Sequence, residues 1–591
     1  MADYVAPSQE IGFVINELLD YPRLAELNDF AEATTELTSA VLDEAAKFAG
    51  EVMGPLNRIG DQQGIRQQGD AVITADGFAD AYQLFVENQW LSLAQDPQYG
   101  GQGLPYIIHL AVSEMWNSAC AAFAVCPLLT AGGIDALAAH ASEELKDKYL
   151  PFLVSGKWTA TMNLTESHAG SDLSTLKTRA EPDGETYRIR GQKIFITWGE
   201  HDMAENILHL VLAPMVDAPA GNRGLSLFLV PKFLVDDEGR LGERNDLRVL
   251  ATEDKLGIHA SPTCVMSFGE NKGAIGYLIG QPGDGLACMF TLMNHARLEV
   301  GLQGVSFSER AYQDALAYAK DRVQGRNIKT GAAASIIEHA DVQRMLMTMK
   351  SLTEAMRGLT YDGAFSHDLE LHGKDEAERA FYKARFALLT PLIKAWCTEL
   401  VNEITSLGIQ VHGGMGFIEE TGAAQHYRDA RITSIYEGTN GIQAHDLVER
   451  KVLRDQGVAL ASYVTEMLKT VASVKSVGKL ESMADQLEEA VAHLQSAAAY
   501  VVERVGTDQK FVGAIAYNFL MMMGYVAGGW YMAQSAEKAI VELDKGEAPF
   551  FRKKLLSTHF YFAQMLPRHK AYMDALVGGA DIGIALDQES F

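Results

Sequence analysis

Along the first part of the chain apolar residues recur every three to four positions, the spacing of amphipathic helices. "FAEATTELTSAVLDEAAKFAGEVMGPLN", from Phe30, carries that pattern and is expected to stop at Gly54-Pro55. "EELKDKYLPFLVSG" repeats it and ends on a glycine. Between them, "PQYGGQGLP", Pro97 to Pro105, has no phosphate-loop lysine and reads as a turn. From Trp158 the period shifts to two. "TATMNLTE", "TYRIRGQKIFIT", "NILHLVLAPM" and "GLSLFLVPKF" predict strands, separated by turn signals such as "EPDGE". Helical spacing returns near 291. It runs through "MNHARLEVGLQGVSFSERAYQDALAYAKDR", "AFYKARFALLTPLIKAWCTELVNEITSLGIQ", "QAHDLVERKVLRDQG" and "SMADQLEEAVAHLQSAAAYVVERV". The predicted order is a lead (1–35), a helical domain (36–160), a β domain (161–290), a helical bundle (291–455) and a further helical block (456–591).

Composition narrows what such a chain can do. Its 591 residues exceed one domain, and 48% hydrophobic with 21% charged residues is an ordinary globular mix. A net charge of −27, with no Lys/Arg-rich run, disfavours nucleic acid as a partner. Five cysteines (Cys120, Cys126, Cys264, Cys288, Cys397) without a CxxC fit buried thiols in a reducing compartment better than disulfides or a zinc site, and no metal is expected. "MADYVAPSQE" lacks the features of a signal peptide or a mitochondrial presequence, which points to a cytoplasmic protein. Phe511 to Ala536 carries no charge over a length that spans a bilayer, but Asn518, Gln534 and four glycines favour a buried or self-associating helix over a membrane contact.

Four stretches carry candidate chemistry. "TMNLTESHAGSDLSTLKTRA" (Thr161–Ala180) runs from a strand into a loop of small residues whose backbone can approach a flat or anionic ligand; it can equally be a solvated hairpin. "GQKIFITWGEHD" ends a strand at Thr197 and is either a core strand or a wall against an aromatic ring system. Arg297 and Arg322 lie 25 residues apart, about 38 Å along a continuous helix, so one helix could offer each to a different anion. "LGIQVHGGMGFIEE" breaks a helix with Gly413, Gly414 and Gly416. In "SIYEGTNGIQA", Glu437 is either a solvated glutamate near a helix start or a base held over a substrate.

In this order, "LTESHAGSD", "GQKIFIT", "IQVHGGMGF" and "IYEGTNGIQ" resemble the acyl-CoA dehydrogenase family over about residues 50–450. The resemblance implies an α+β multi-domain fold: an N-terminal helical domain, a β-barrel-like middle domain and a C-terminal helical bundle, here with an extra helical domain. It implies FAD. Leu164, Thr165, Ser171, Phe195 and Thr197 match positions lining the isoalloxazine and its phosphates, and Thr439 touches the same cofactor. Arg322, Gln324, Gln410 and Gly414 match positions holding the pyrophosphate and adenosine of the partner chain's flavin, which implies a homodimer. Asn294 and Arg297 match contacts to the CoA end; Ser171, Tyr436 and Gly438 complete the implied substrate contacts. Glu437 matches the catalytic base, and the alternative base position of some relatives is Ala296, which cannot accept a proton. The chain departs from the family at Phe195, where many relatives carry tryptophan, at Gly325 after Gln324, and at Met162.

The C-terminal block is similar to one found in the very-long-chain enzymes and in one bacterial branch of the family, and the lead "MADYVAPSQEIGFVINELLDYPRLAELNDF" resembles the bacterial branch. That implies oxidation of 3-(methylthio)propanoyl-CoA to 3-(methylthio)acryloyl-CoA in dimethylsulfoniopropionate degradation, with an electron-transferring flavoprotein as acceptor. The alternatives are a medium- or long-chain fatty acyl-CoA dehydrogenase at the membrane, an acyl-CoA oxidase, and a DNA-associated relative without catalysis.

Overall fold

A computed structural model describes residues 3–591 apart from 237, 507 and 547. The chain forms two compact units, one contiguous (Glu44–Glu299) and one discontinuous (Met1–Asp43 with Val300–Phe591).

The contiguous unit joins helices to a sheet. Helix α1 (Tyr106–His140) is apolar almost throughout and nearly all buried, and it leaves helical geometry at Cys120 (φ −155°, ψ 87°). Helix α2 (Glu143–Val154) begins with Ser142 capping Leu145 N–H, and the chain turns out of it at Gly156 with φ 77°, as the terminal glycine predicts. One expectation needs correcting. The chain stays helical past Gly54-Pro55: a helix (Thr35–Phe48) widens into a π-helical stretch (Ala49–Met53), and a new helix (Gly54–Gln63) follows. Proline sits in the first turn of that helix, where a missing N–H costs nothing.

Among the described residues one sheet of eight strands follows: β1 (Trp158–Asn163), β2 (Arg179–Asp183), β3 (Thr186–Thr197), β4 (Asn206–Pro214), β5 (Leu225–Pro231), β6 (Leu247–Thr252), β7 (Thr263–Phe268) and β8 (Ala274–Ile279). They pair in the order β6-β7-β3-β8-β5-β4-β1, with β2 added to β3; β1 and β4 pair in parallel, with Trp158 opposite Asn206, and the other ladders of the sheet are antiparallel among the described residues. Alternate residues such as Ile189, Ile196, Val211, Phe228, Val249 and Met266 point into one core, which is why the two-residue period was readable. The β3–β7 register breaks: Cys264 faces Ile196 and Met266 faces Lys193, so β3 carries one extra residue in a bulge.

Helix α3 (Gly285–Asp321) begins in this unit and runs into the other, ending one residue before Arg322. The discontinuous unit contains α4 (Ala340–His372), α5 (Glu376–His412), α6 (Asn440–His445), α7 (Val458–Ser476), α8 (Glu481–Arg504), α9 (Phe511–Lys545), α10 (Pro549–Phe560) and α11 (Arg568–Ala585). Helix α9 contains the long uncharged stretch, and 72% of its most apolar window is buried inside the unit. Its Gly524 presses against Trp396 of α5 so closely that an added Cβ would lie 2.2 Å from the indole. Gly524, Gly528 and Gly529 are there for close contact with neighbouring elements, whereas Gly513 faces open space.

The N-terminal lead belongs to the same unit. Its short helix (Ser8–Phe13) sets Glu10 against Lys554 of α10 and, at 3.2 Å, Lys350 of α4, while Phe13 meets Phe550 edge-on at 5.7 Å. All five cysteines are buried thiols outside any disulfide, as expected.

Candidate active site

In the contiguous unit, the expected cofactor contacts meet at one rim of the sheet. Ile194 N–H donates to Thr165 O (3.0 Å), and the Lys193 ammonium donates to Leu164 O (2.8 Å). Thr161 Oγ1 donates to Thr197 O (2.6 Å). Strand β3 and the loop after β1 are thereby laced together. The bulge puts Phe195 in the left-handed region (φ 58°) and turns its ring outward, 59% exposed. A large aromatic face held in the open by backbone that phenylalanine rarely adopts is strain with a use.

Sequence reasoning missed what holds this rim. Glu166 and Lys193 form a buried ion pair at 2.9 Å, and the Glu166 carboxylate also accepts the N–H groups of Lys177 (2.8 Å) and Thr178 (3.0 Å). The loop 166–178, which carries Ser171 on its exposed side, is folded around this one carboxylate. Burial pushes the Glu166 carboxyl up, but Lys193 and the surrounding donors outweigh it and leave it below the usual range; burial brings the Lys193 ammonium down to about 8. The signal lay in the alternation: Lys193 shares strand parity with buried Ile189, so it must point inward and needs a counter-charge.

In the discontinuous unit, Glu437 and Gly438 are left-handed in succession (φ 55° and 88°), on a half-buried loop before α6. Buried Gln443 holds both carbonyls, donating to Gly438 O (3.1 Å) and Glu437 O (3.5 Å). Thr439 precedes α6 as its N-cap residue, with Oγ1 donating to Ser434 O (3.4 Å). Asn440 anchors the loop to α5. Its Oδ1 accepts from Lys394 (2.8 Å) and Thr398 (3.0 Å), and its Nδ2 donates to Glu399 (2.7 Å). The Tyr436 hydroxyl donates to Gln303 of α3; burial, with the Glu437 carboxylate nearby, holds its pKa far above the ordinary value.

The remaining candidates fall into two groups. Arg322, Gln324, Gln410 and Gly414 are exposed at neighbouring helix ends, because Tyr318 near the end of α3 and His412 at the end of α5 lie ring to ring at 4.4 Å. Gly413 and Gly414 have open space around them, and exposed Met415 and Phe417 (85%) follow. Asn294 is exposed on α3, whereas Arg297 is 8% exposed and Ala296 is buried.

Comparison with known proteins accounts for nearly the whole chain. "Acyl-CoA dehydrogenase, N-terminal domain" matches residues 35–157, its middle domain 161–270 and its C-terminal domain 283–452, and "Acetyl-CoA dehydrogenase C-terminal like" matches 463–587. The 3-methylmercaptopropionyl-CoA dehydrogenase of Ruegeria pomeroyi is 45% identical over 95% of this chain and 96% of its own. The chain belongs to the acyl-CoA dehydrogenase family.

A butyryl-CoA dehydrogenase of Syntrophomonas wolfei is 34% identical to it over 100% of this chain and 99% of the relative. The fold matches an acyl-CoA dehydrogenase complexed with FAD from Bacillus anthracis, with a TM-score of 0.74 at 20% identity, covering 95% of this chain and 90% of that one. The dehydrogenase is thus an FAD-dependent enzyme that oxidises an acyl-CoA thioester to the 2-enoyl-CoA. Its own residues fit that cofactor. The outward Phe195 ring, with Thr165 and Thr197 along the same rim, offers a flat apolar face edged by hydroxyls. The exposed cations and amides near bare Gly413-Gly414 suit a nucleotide diphosphate.

Proposed function

We propose that the substrate is 3-(methylthio)propanoyl-CoA, that the product is 3-(methylthio)acryloyl-CoA, and that Glu437 is the base. The observation that carries the substrate reading is the 45% identity, over 95% of this chain, with a relative named for the same thioester. A relative named for butyryl-CoA, an acyl group of similar length, agrees with a short pocket.

The role of Glu437 follows from its setting. The hydrogen α to a thioester is weakly acidic, so it needs a carboxylate beside it and donors on the carbonyl oxygen; a backbone N–H presented on a turned-out loop is such a donor. Left-handed Glu437-Gly438, fixed by Gln443 and Asn440, provides rigid presentation of both the carboxylate and its N–H. A thioester lying over Glu437 desolvates the carboxylate and raises its basicity toward working pH. Bound FAD supplies the acceptor for the hydride leaving the β carbon. Tyr436 packs beside the thioester, Asn294 and Arg297 face the CoA end, and Thr165, Thr197 and Phe195 orient the ring system. Arg322, Gln324, Gln410 and Gly414 are assigned to the nucleotide of a second subunit, in a homodimer of about 129 kDa, twice 64.5 kDa. An electron-transferring flavoprotein in a bacterial cytoplasm is the assigned electron acceptor.

The deciding experiment is anaerobic titration of the yellow enzyme with a panel of acyl-CoAs, following the oxidised flavin band. Fast bleaching by 3-(methylthio)propanoyl-CoA and butyryl-CoA, with slow bleaching by palmitoyl-CoA, is expected. A palmitoyl-CoA preference refutes the substrate, and rapid reoxidation of the bleached enzyme by air makes it an oxidase. Glu437→Gln should keep its FAD yet bleach on the order of 10²–10⁴ times more slowly with every substrate; bleaching at the wild-type rate removes Glu437 from the reaction.

A further inference from the structure

Inside the contiguous unit, α1 and α3 share a polar cluster that the dehydrogenation does not use. His295 and Glu299 are one turn apart on α3; His109 and Ser113 are one turn apart on α1, with Tyr106 one turn earlier. Glu299 is fully buried, and His109 and His295 are each 9% exposed. One nitrogen of each imidazole and one oxygen of the carboxylate lie within 4.8 Å of one another. The His109 Nε2 to Glu299 Oε1 separation is 3.5 Å, the spacing of two ligands on one tetrahedral ion.

Two further features mark a built site. The Asp135 carboxylate lies 2.8 Å from His295 Nδ1 and accepts the proton of that nitrogen, so Nε2 is the nitrogen left for an ion. Nε2 is buried and has no hydrogen-bond partner. A carboxylate behind a histidine is the outer shell that metal-binding imidazoles carry, fixing ring orientation and raising basicity. Glu299 is oriented in the same way: the Tyr106 hydroxyl donates to Oε1 (3.1 Å) and Ser113 Oγ donates to Oε2 (2.6 Å). A buried polar atom left unsatisfied costs about 1–3 kcal/mol, a cost that an ion on Nε2 would remove.

We propose that His109, His295 and Glu299 bind one divalent transition-metal ion of the zinc type, with a hydroxyl or a water as fourth ligand. Two imidazoles and a carboxylate suit zinc and its neighbours, whereas magnesium and calcium favour all-oxygen sets. The ion cross-links α1 to α3 within one turn of Asn294 and Arg297, and so sets the rigidity of the helix that presents them. Its role is structural, since all three ligands are buried.

The test uses the full-length, FAD-loaded enzyme, stripped with a chelator that is then dialysed away. Calorimetric titration with Zn²⁺ should show saturable binding near one ion per chain, with a rise in thermal midpoint. Asp135→Asn, at a partly exposed position that should not disturb folding, should weaken binding 10- to 100-fold. Glu299→Gln should abolish it. Absence of saturable binding at micromolar Zn²⁺ in the wild type overturns the proposal. So does binding that is unchanged in Asp135→Asn and Glu299→Gln, which would locate the ion elsewhere.

Discussion

Glu437 occupies backbone that glutamate avoids, and the cost is measurable. A non-glycine residue in the left-handed region pays roughly 1–2 kcal/mol, and Asn pays least among the side chains because it bonds locally. Glu437→Asn is therefore expected to raise the thermal midpoint of the FAD-loaded enzyme while abolishing turnover; a lower midpoint would show that the side chain's own contacts outweigh the backbone cost. Lys193 is the opposite kind of residue, indispensable to the fold and remote from the reacting carbons. Lys193→Met leaves Glu166 buried without its cation, for which about 3–5 kcal/mol of destabilisation is expected. The loop carrying Leu164 and Thr165 should loosen with it, so FAD loss on gel filtration is the readout, and full FAD retention would contradict the positioning role.

The lead helix Ser8–Phe13 owes its place to one carboxylate among lysines. Burial alone would push Glu10 up, but Lys554, Lys350 and Arg357 bring it from 4.5 down to about 2. A carboxyl lowered on folding contributes stability that is complete above pH 4.5 and lost as pH falls from there toward 2. Proteolysis within residues 3–30 should therefore accelerate on acidification below 4.5, and Glu10→Gln should make it fast already at neutral pH. Equal cleavage at pH 6 and pH 3.5 would refute this. The sequence could not reveal that pairing, because its partners stand 544 positions apart and nothing local marks them. By contrast β3 coincides residue for residue with "TYRIRGQKIFIT", since a half-buried strand writes its two faces into alternate letters. The candidate site divides along the same line. Its motif residues were legible, while the bulge under Phe195, set by the register of β7, and the Asn440 anchor, set by α5, come from other parts of the chain. The uncharged stretch of α9 was ambiguous by composition, and its contact with Trp396 resolves it as a buried helix.

At the scale of the whole molecule, the contiguous unit interrupts the discontinuous one. This orders events during synthesis. Residues 44–299 form a compact unit that is contiguous in the chain, so it is expected to fold on the ribosome before the other unit is complete. The lead cannot: Glu10 and Phe13 must wait for Phe550 and Lys554, which at cellular elongation rates arrive roughly half a minute to two minutes later. Until α4 and then α10 are made, the lead's apolar face, Ile11, Phe13, Val14 and Ile15, lacks the cover it has in the finished fold and is the nascent chain's standing invitation to chaperones. Ribosome-bound chains arrested near residue 350 should accordingly show a protease-resistant core from 44–299 and a lead that is cut at once, and a protected lead at that length would mean it has an earlier resting place.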